Sequence, residues 1–189
     1  MEGGIFLKHI IILLTLLCIC MCGCQKGTDP MDQALSLRSA VLQSEKCTFS
    51  LEITADYGSM TYDFAMECVA DNKGNVTFVV TAPTTIAGIT GRITEEGGCV
   101  TFDGTSLYIP MLTDDLITPV SAPWLLIRTI RGGCITSCSD GRLTIDDSFA
   151  EDALKLDIFL GQDNLPESVD IYWKNRRILA LSVISFVIS

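Results

Sequence analysis

Between Cys47 and Ala82 apolar and polar residues alternate with few interruptions. Cys47, Phe49, Leu51, Ile53, Ala55 and Tyr57 occupy every second position, with Thr48, Ser50, Glu52, Thr54 and Asp56 between them. After Gly58-Ser59 the pattern resumes with Met60, Tyr62, Phe64, Met66, Cys68 and Ala70. A period of two is that of a strand with one buried face. Glycine at the first position of a two-residue loop suits a type II′ hairpin turn. Folding the chain there sets Tyr57 against Met60, Ile53 against Phe64, Leu51 against Met66 and Phe49 against Cys68. Both halves then agree on one register, with one oily and one wet face. Beyond a turn at Asp71-Asn72-Lys73-Gly74, the residues Val76, Phe78, Val80 and Ala82 carry the oily face into a third strand. Pro83 ends it.

A different period precedes the hairpin. Met31, Ala34, Leu35, Arg38, Val41 and Leu42 recur at helical spacing, so a helix is expected from Pro30 to Ser44. Asp29 is placed to cap it, and Pro30 suits its first position. After the third strand, further strands are expected over 89–94, 99–102 and 107–109. Glu95-Glu96-Gly97-Gly98 and Asp103-Gly104 form the turns between them. Asp103-Gly104 has no flanking ligands and is a turn rather than a cation loop. From Met111 to Gly133 the alternation stops. Ser121 is placed to cap a short helix carrying Trp124, Leu125, Ile127 and Ile130, which Gly132-Gly133 ends. Arg128 and Arg131 complement its carboxyl end. Strands then follow over 134–138, 142–145, 154–160, 169–173 and 178–188, separated mostly by turns. The expected class is mainly β with two helices (α+β), in a meandering antiparallel sheet.

The first residues carry an address. An apolar run from Ile10 to Ile19 follows Lys8 and is too short for a membrane span, which takes about 20 residues. It fits the core of a secretory signal. Gly23 directly before Cys24 resembles a bacterial lipobox, in which the cysteine is lipidated and cleavage falls before it. Cys18, Cys20 and Cys22 follow the bulky Leu17, Ile19 and Met21 and lack the small residue that a narrow protease cleft needs. The expectation is a signal peptide over 1–23, a tether over 24–28 lipidated at Cys24, and one domain over 29–189. The resemblance implies a bacterial protein on the extracytoplasmic face of a cell membrane, held by acyl chains. At roughly 0.8 kcal/mol per buried methylene, two or three such chains hold a protein on a bilayer durably.

Composition narrows the function. The chain carries a net charge of −10, its charges scattered along the sequence. An acidic surface excludes nucleic acid, whose phosphates need a basic patch. The one histidine, His9, lies in the signal segment, so residues 24–189 lack the usual general base and the commonest metal ligand. Asp114/Asp115 and Asp146/Asp147 are adjacent pairs that read as loop solvation rather than catalytic carboxylates. No enzyme activity and no cofactor are expected. Cys47, Cys68, Cys99, Cys134 and Cys138 sit among strand residues. With no histidine and only one close pair they do not make a zinc site, and they read as small buried thiols.

A wide sheet with one oily face cannot leave that face in water, and two short helices offer little cover. The expected solution is a curved sheet wrapped partly around its own oily face, an open half-barrel plugged by helices. The order of elements resembles the LolA/LolB-like lipoprotein carriers and related lipid-binding surface lipoproteins. The resemblance rests on the N-terminal helix, the strands Phe49–Tyr57, Met60–Ala70 and Val76–Pro83, then Phe102-Asp103-Gly104 before Leu107, and Leu165-Pro166 before the closing strands. It implies a cavity between sheet and helices that holds acyl chains, from a lipid or lipopeptide. From the oily face, Phe49, Leu51, Ile53, Phe64, Met66, Phe78 and Val80, with Trp124 from the second helix, are the candidate lining. The alternative is a tethered module that binds another envelope protein through a sheet edge or its acidic face, with the same residues filling a closed core.

Overall fold

A computed structural model describes residues 29–110, 117–150 and 153–189. The segment 1–23 expected to be a signal peptide, Cys24 with its expected tether, and the Asp114/Asp115 pair lie outside them. The described residues form two α-helices, α1 (Pro30–Gln43) and α2 (Ala122–Gly132), and one 11-stranded antiparallel sheet. Its strands are β1 (Lys46–Asp56), β2 (Thr61–Asp71), β3 (Val76–Ala82), β4 (Thr90–Thr94), β5 (Gly97–Phe102), β6 (Thr105–Pro110), β7 (Cys134–Ser139), β8 (Arg142–Asp146), β9 (Lys155–Leu160), β10 (Pro166–Trp173) and β11 (Arg176–Ile188). The sheet order is β6-β5-β4-β3-β2-β1-β11-β10-β9-β8-β7. Two meandering wings thus meet where the first strand pairs with the last. The connection through α2 carries the chain from one outer edge to the other.

The hairpin register is the expected one: Phe49 faces Cys68, Leu51 faces Met66 and Ile53 faces Phe64. Gly58 closes the turn at φ +88°, and the Tyr57 amide donates to the Met60 carbonyl at 3.0 Å. Asp103 and Gly104 turn with both φ positive, at 47° and 74°, as a type I′ hairpin loop requires. The expected Glu95–Gly98 turn is shorter. Gly97 and Gly98 pair with Thr94 and Ile93 inside β5, leaving Glu95 and Glu96 as the loop. Bulges at Ser50/Leu51, Ala65/Met66 and Ile171/Tyr172 give the sheet its bends, and it stays open as a curved half-barrel.

The helices differ from expectation in their faces and caps. Asp29 caps α1 as expected, its carboxylate accepting from the Met31 amide at 2.9 Å. The buried face is Ala34, Leu37 and Val41, while Met31, Leu35 and Leu42 are exposed. Two apolar stripes overlap on this helix. The one with the small Ala34 lets α1 approach α2, and Arg38 beside it donates to the Ile130 and Gly133 carbonyls, both at 2.7 Å. Ser121 does not cap α2. It ends a 3-10 turn, Pro119–Ser121, and its hydroxyl donates to the Thr118 carbonyl at 2.8 Å. α2 is buried almost all round, with Trp124, Leu125, Leu126, Ile127, Thr129 and Ile130 covered and Arg128 exposed. Two short helices therefore cover more of the inner face than the sequence suggested, because α2 lies within the curve and touches β2 on one wing and β8 on the other.

Candidate functional site

The inner face of the half-barrel is the candidate site, and it is built in register rows. Cα pairing aligns Phe186, Phe49, Cys68, Phe78, Gly91, Val100 and Leu107 across seven strands. The next row toward the hairpin end runs through Val183, Leu51, Met66 and Val80. Phe49 stacks on Phe186 at 5.4 Å between ring centroids. A Cβ on Gly91 would stand 2.3 Å from Phe78 Cζ, so the absent side chain is what lets the Phe78 ring lie over β4.

The structure brings all eight candidate lining residues into one cluster. Phe49, Leu51, Ile53, Met66, Phe78, Val80 and Trp124 are buried in it, and Phe64 is half-buried at its margin. Each fully buried side chain of this size contributes about 1.5–3 kcal/mol, so these residues hold the domain together as well as lining its inner face.

Past Ile53 and Ala55 the oily face runs out from under the helices. Tyr57, Met60 and Tyr62 continue it on the same side of the hairpin, and they are 46, 56 and 43 % exposed. Their rings form a ladder: Tyr57 to Tyr62 at 6.2 Å and Tyr62 to Phe64 at 6.5 Å between centroids, with the Tyr62 hydroxyl 3.1 Å from Met60 Sδ. Burial, and then the neighbouring Tyr62, raises the Tyr57 pKa, which keeps the phenol neutral. Sequence reasoning placed these residues on the oily face without assigning them to the site. The signal was there in an alternation that does not turn polar as it nears the turn.

The carboxyl end of α2 is fastened by arginines from two sides. Besides Arg38, Arg131 donates to the Asn72 carbonyl at 2.9 Å and to the Val41 carbonyl at 3.4 Å. Arg128 lies over the Trp124 ring at 5.1 Å. Lys73, Glu95, Asp147, Trp124 and these two arginines surround a polar surface pocket of about 300 Å³. Asp147 also accepts from the Leu154 amide at 2.9 Å in a loop, as expected, whereas Asp146, expected beside it in the loop, ends β8 and pairs with Lys155.

The five described cysteines are free thiols. Cys47 and Cys68 are buried, and burial pushes the Cys68 pKa up to about 12, with Glu67 adding to it. Cys99, Cys134 and Cys138 are half-buried. Among the described residues no helix is long and apolar enough to cross a membrane.

No protein-family model and no curated protein matches the chain. Solved structures do. A LolA superfamily protein from Nitrosomonas europaea superposes with a TM-score of 0.50 at 9 % identity, covering 82 % of this chain and 93 % of that one. An uncharacterized conserved protein from Thermus thermophilus reaches 0.45 at 14 % identity, over 82 % and 87 %. The Mycobacterium tuberculosis lipoprotein LppX reaches 0.42 at 12 % identity, over 83 % and 92 %. An open 11-stranded half-barrel plugged by helices, superposing over most of both chains on a LolA superfamily structure, makes the fold of this chain LolA-like.

Proposed function

We propose that this chain is an extracytoplasmic protein, tethered to a membrane by lipid on Cys24, that takes an acyl-chain ligand between the inner face of the half-barrel and α2. The observation that carries the reading is the uncovered end of the oily face at Tyr57, Met60, Tyr62 and Phe64. A solid core ordinarily meets water through polar residues at its rim. This one ends in aromatic rings and a thioether, a surface along which an apolar chain enters. Because Phe49, Leu51, Ile53, Met66, Phe78, Val80 and Trp124 pack on one another, entry requires α2 to move off the sheet. Its carboxyl end is held by Arg38 and Arg131, so the movement belongs to the Pro119–Ser121 end, which rests on β1.

The test uses the full chain purified from membranes. Mass spectrometry of lipids that co-purify gives the ligand class. Trp124 is 5 % exposed, so its emission has little room to shift, and quenching by brominated fatty acid is the better readout. With Trp173→Phe removing the background, quenching should saturate, and Met60→Lys at the mouth should weaken it. Absence of both co-purifying lipid and saturable quenching would leave a closed core and remove the carrier reading. For the anchor, Cys24→Ala should yield precursor that is neither cleaved nor acylated. Acylation persisting at Cys22 would show the site to be misassigned.

A further inference from the structure

The two edges of the sheet are finished differently. β7 is bent by a bulge between Ile135 and Ser137 and lies beside α1, with Cys138 Sγ donating to the Pro30 carbonyl at 2.7 Å and Arg38 bound to the Gly133 carbonyl just ahead of it. Such devices blunt an edge. Among the described residues β6 has none of them over Thr105–Tyr108. Its pairing with β5 is regular from Phe102↔Thr105 to Gly97↔Pro110, and it carries no charged residue. Thr105, Ser106, Leu107 and Tyr108 are all exposed, Leu107 by 66 % and Tyr108 by 63 %.

The turn fixes which backbone groups point outward. Phe102 and Thr105 flank a two-residue loop and are therefore a hydrogen-bonded pair, so Leu107 bonds inward to Val100. Ser106 and Tyr108 alternate with them and direct their N–H and C=O groups away from the sheet. The Ser106 hydroxyl sits 2.9 Å from that of Thr101, in keeping with the closer, non-hydrogen-bonded pair. Pro110 closes the usable edge, adding a carbonyl and no amide.

Charge says what fits there. Exposed Glu95 and Glu96 turn the chain beside the Pro110 end of β6, and exposed Asp103 turns it beside the Thr105 end. Arg92 lies two strands back and is 3.9 Å from Asp71, and Lys73, Arg128 and Arg131 share a pocket with Glu95. Glu96 and Asp103 are acids of this edge that have no ion pair among the described residues. A second copy pairing antiparallel through its own β6 would bring Asp103 of one chain toward Glu95 and Glu96 of the other, acid against acid at both ends. We propose that β6 instead accepts a short extended segment of another protein as an added strand, uncharged where it pairs with Ser106–Tyr108 and basic at its flanks. Main-chain hydrogen bonds to Ser106 and Tyr108 hold it, Leu107 and Tyr108 pack on its two faces, and the acidic turns select its ends. This reading stands apart from the acyl-chain reading and survives its failure.

The experiment sets the full chain against two synthetic peptides that share a Val-Thr-Val-Thr-Val centre, one flanked by lysines and one by glutamates. Fluorescence anisotropy should show saturable binding of the lysine-flanked peptide, at least tenfold weaker for the glutamate-flanked one and weakened by salt. Hydrogen exchange of the Ser106 and Tyr108 amides should slow at least tenfold on binding, while Leu107, already bonded to Val100, changes little. Tyr108→Pro removes an outward amide, together with the hydroxyl that donates to the Glu96 carbonyl at 3.0 Å, leaves the backbone bonds to β5 in place and should cost at least tenfold in affinity. Tyr108→Val, which keeps the amide, should retain most of it. Unchanged Leu107 exchange in Tyr108→Pro shows that the variant keeps its hairpin. The proposal is overturned by absence of saturable binding, by equal binding to Tyr108→Pro, or by protection of Ser106 and Tyr108 that arises from dimerisation of the chain without peptide.

Discussion

At Gly133 a Cβ would stand 2.6 Å from Ile145 Cγ2 and 2.8 Å from both the Asp146 and Thr129 carbonyl oxygens. Its φ of −69° suits any residue, so close approach alone reserves the position for glycine. Gly133→Ala should therefore cost about 1–3 kcal/mol, as overpacking does. Gly132→Ala, where an added Cβ meets nothing within 4 Å, should be neutral or stabilising by about 0.5–1 kcal/mol. Urea denaturation separates the two. At Asp71, burial works to raise the carboxyl pKa. The hydrogen bonds from the Asn75 side chain and amide and from the Lys73 amide, with Arg92 nearby, outweigh it and hold the group below its ordinary value. A group depressed on folding stabilises fully above the unfolded pKa, and that contribution is lost as pH falls through the folded value. Below about pH 4, near the ordinary aspartate pKa, wild-type stability should fall more steeply than that of Asp71→Asn. Parallel acid limbs in pH-dependent melts would remove Asp71 from the account. Asp157 was not foreseen. It is buried on the outer face of β9, bonded to Arg142 and, at 2.8 Å, to Thr144. Nothing local in Lys155–Leu160 marks that acid, because its partners come from β8.

Among the elements, the β1–β2 hairpin is the part most fully legible beforehand. Its two alternations share one turn, and only one register puts both oily sets on one face. Leu51 is buried and faces Met66, while Ser50 lies on the other side with its hydroxyl 2.9 Å from Ser185. Leu51→Asp should destabilise by several kcal/mol, since an unpaired charge there loses its water. Ser50→Asp exchanges one partly exposed hydrogen bond for a solvated charge and should stay within about 1 kcal/mol. Equal tolerance in denaturant melts would mean that the faces are inverted. α1 is the opposite case. Met31, Leu35 and Leu42 repeat as regularly as Ala34, Leu37 and Val41, so the period announces a helix without saying which stripe is buried. α2, and the reach of Arg38 to its carboxyl end, make that choice.

In the whole molecule the seam between β1 and β11 joins the wings, from Cys47↔Ile188 to Ala55↔Leu179, and α2 spans both. Neither wing closes its own core, since Phe49 of one stacks on Phe186 of the other. The described domain should therefore unfold in a single transition. Trp124 fluorescence in Trp173→Phe, Trp173 fluorescence in Trp124→Phe and far-ultraviolet circular dichroism should give one coincident midpoint. Separate midpoints for the two tryptophans would show wings that fold independently.

Strands, most of their turns, the hairpin register, the half-barrel class and the oily face to which the candidate lining belongs were all legible in the chain alone. The half-barrel class follows from the width of the oily face set against two short helices; the others follow from periods and turn residues that act over a few positions, where neighbours along the chain are also neighbours in space. Pairing of β1 with β11, burial of α2 on nearly all sides, the stripe chosen on α1 and the partnership of Arg142 with Asp157 emerged only on folding. Each depends on contacts between residues far apart in the chain, which periodicity does not encode. The extent of helix cover belongs with them. Curvature sets how far the inner face is hidden, and so leaves Tyr57, Met60 and Tyr62 outside the cover while Phe49, Leu51 and Met66, two or more rows in, are sealed beneath it.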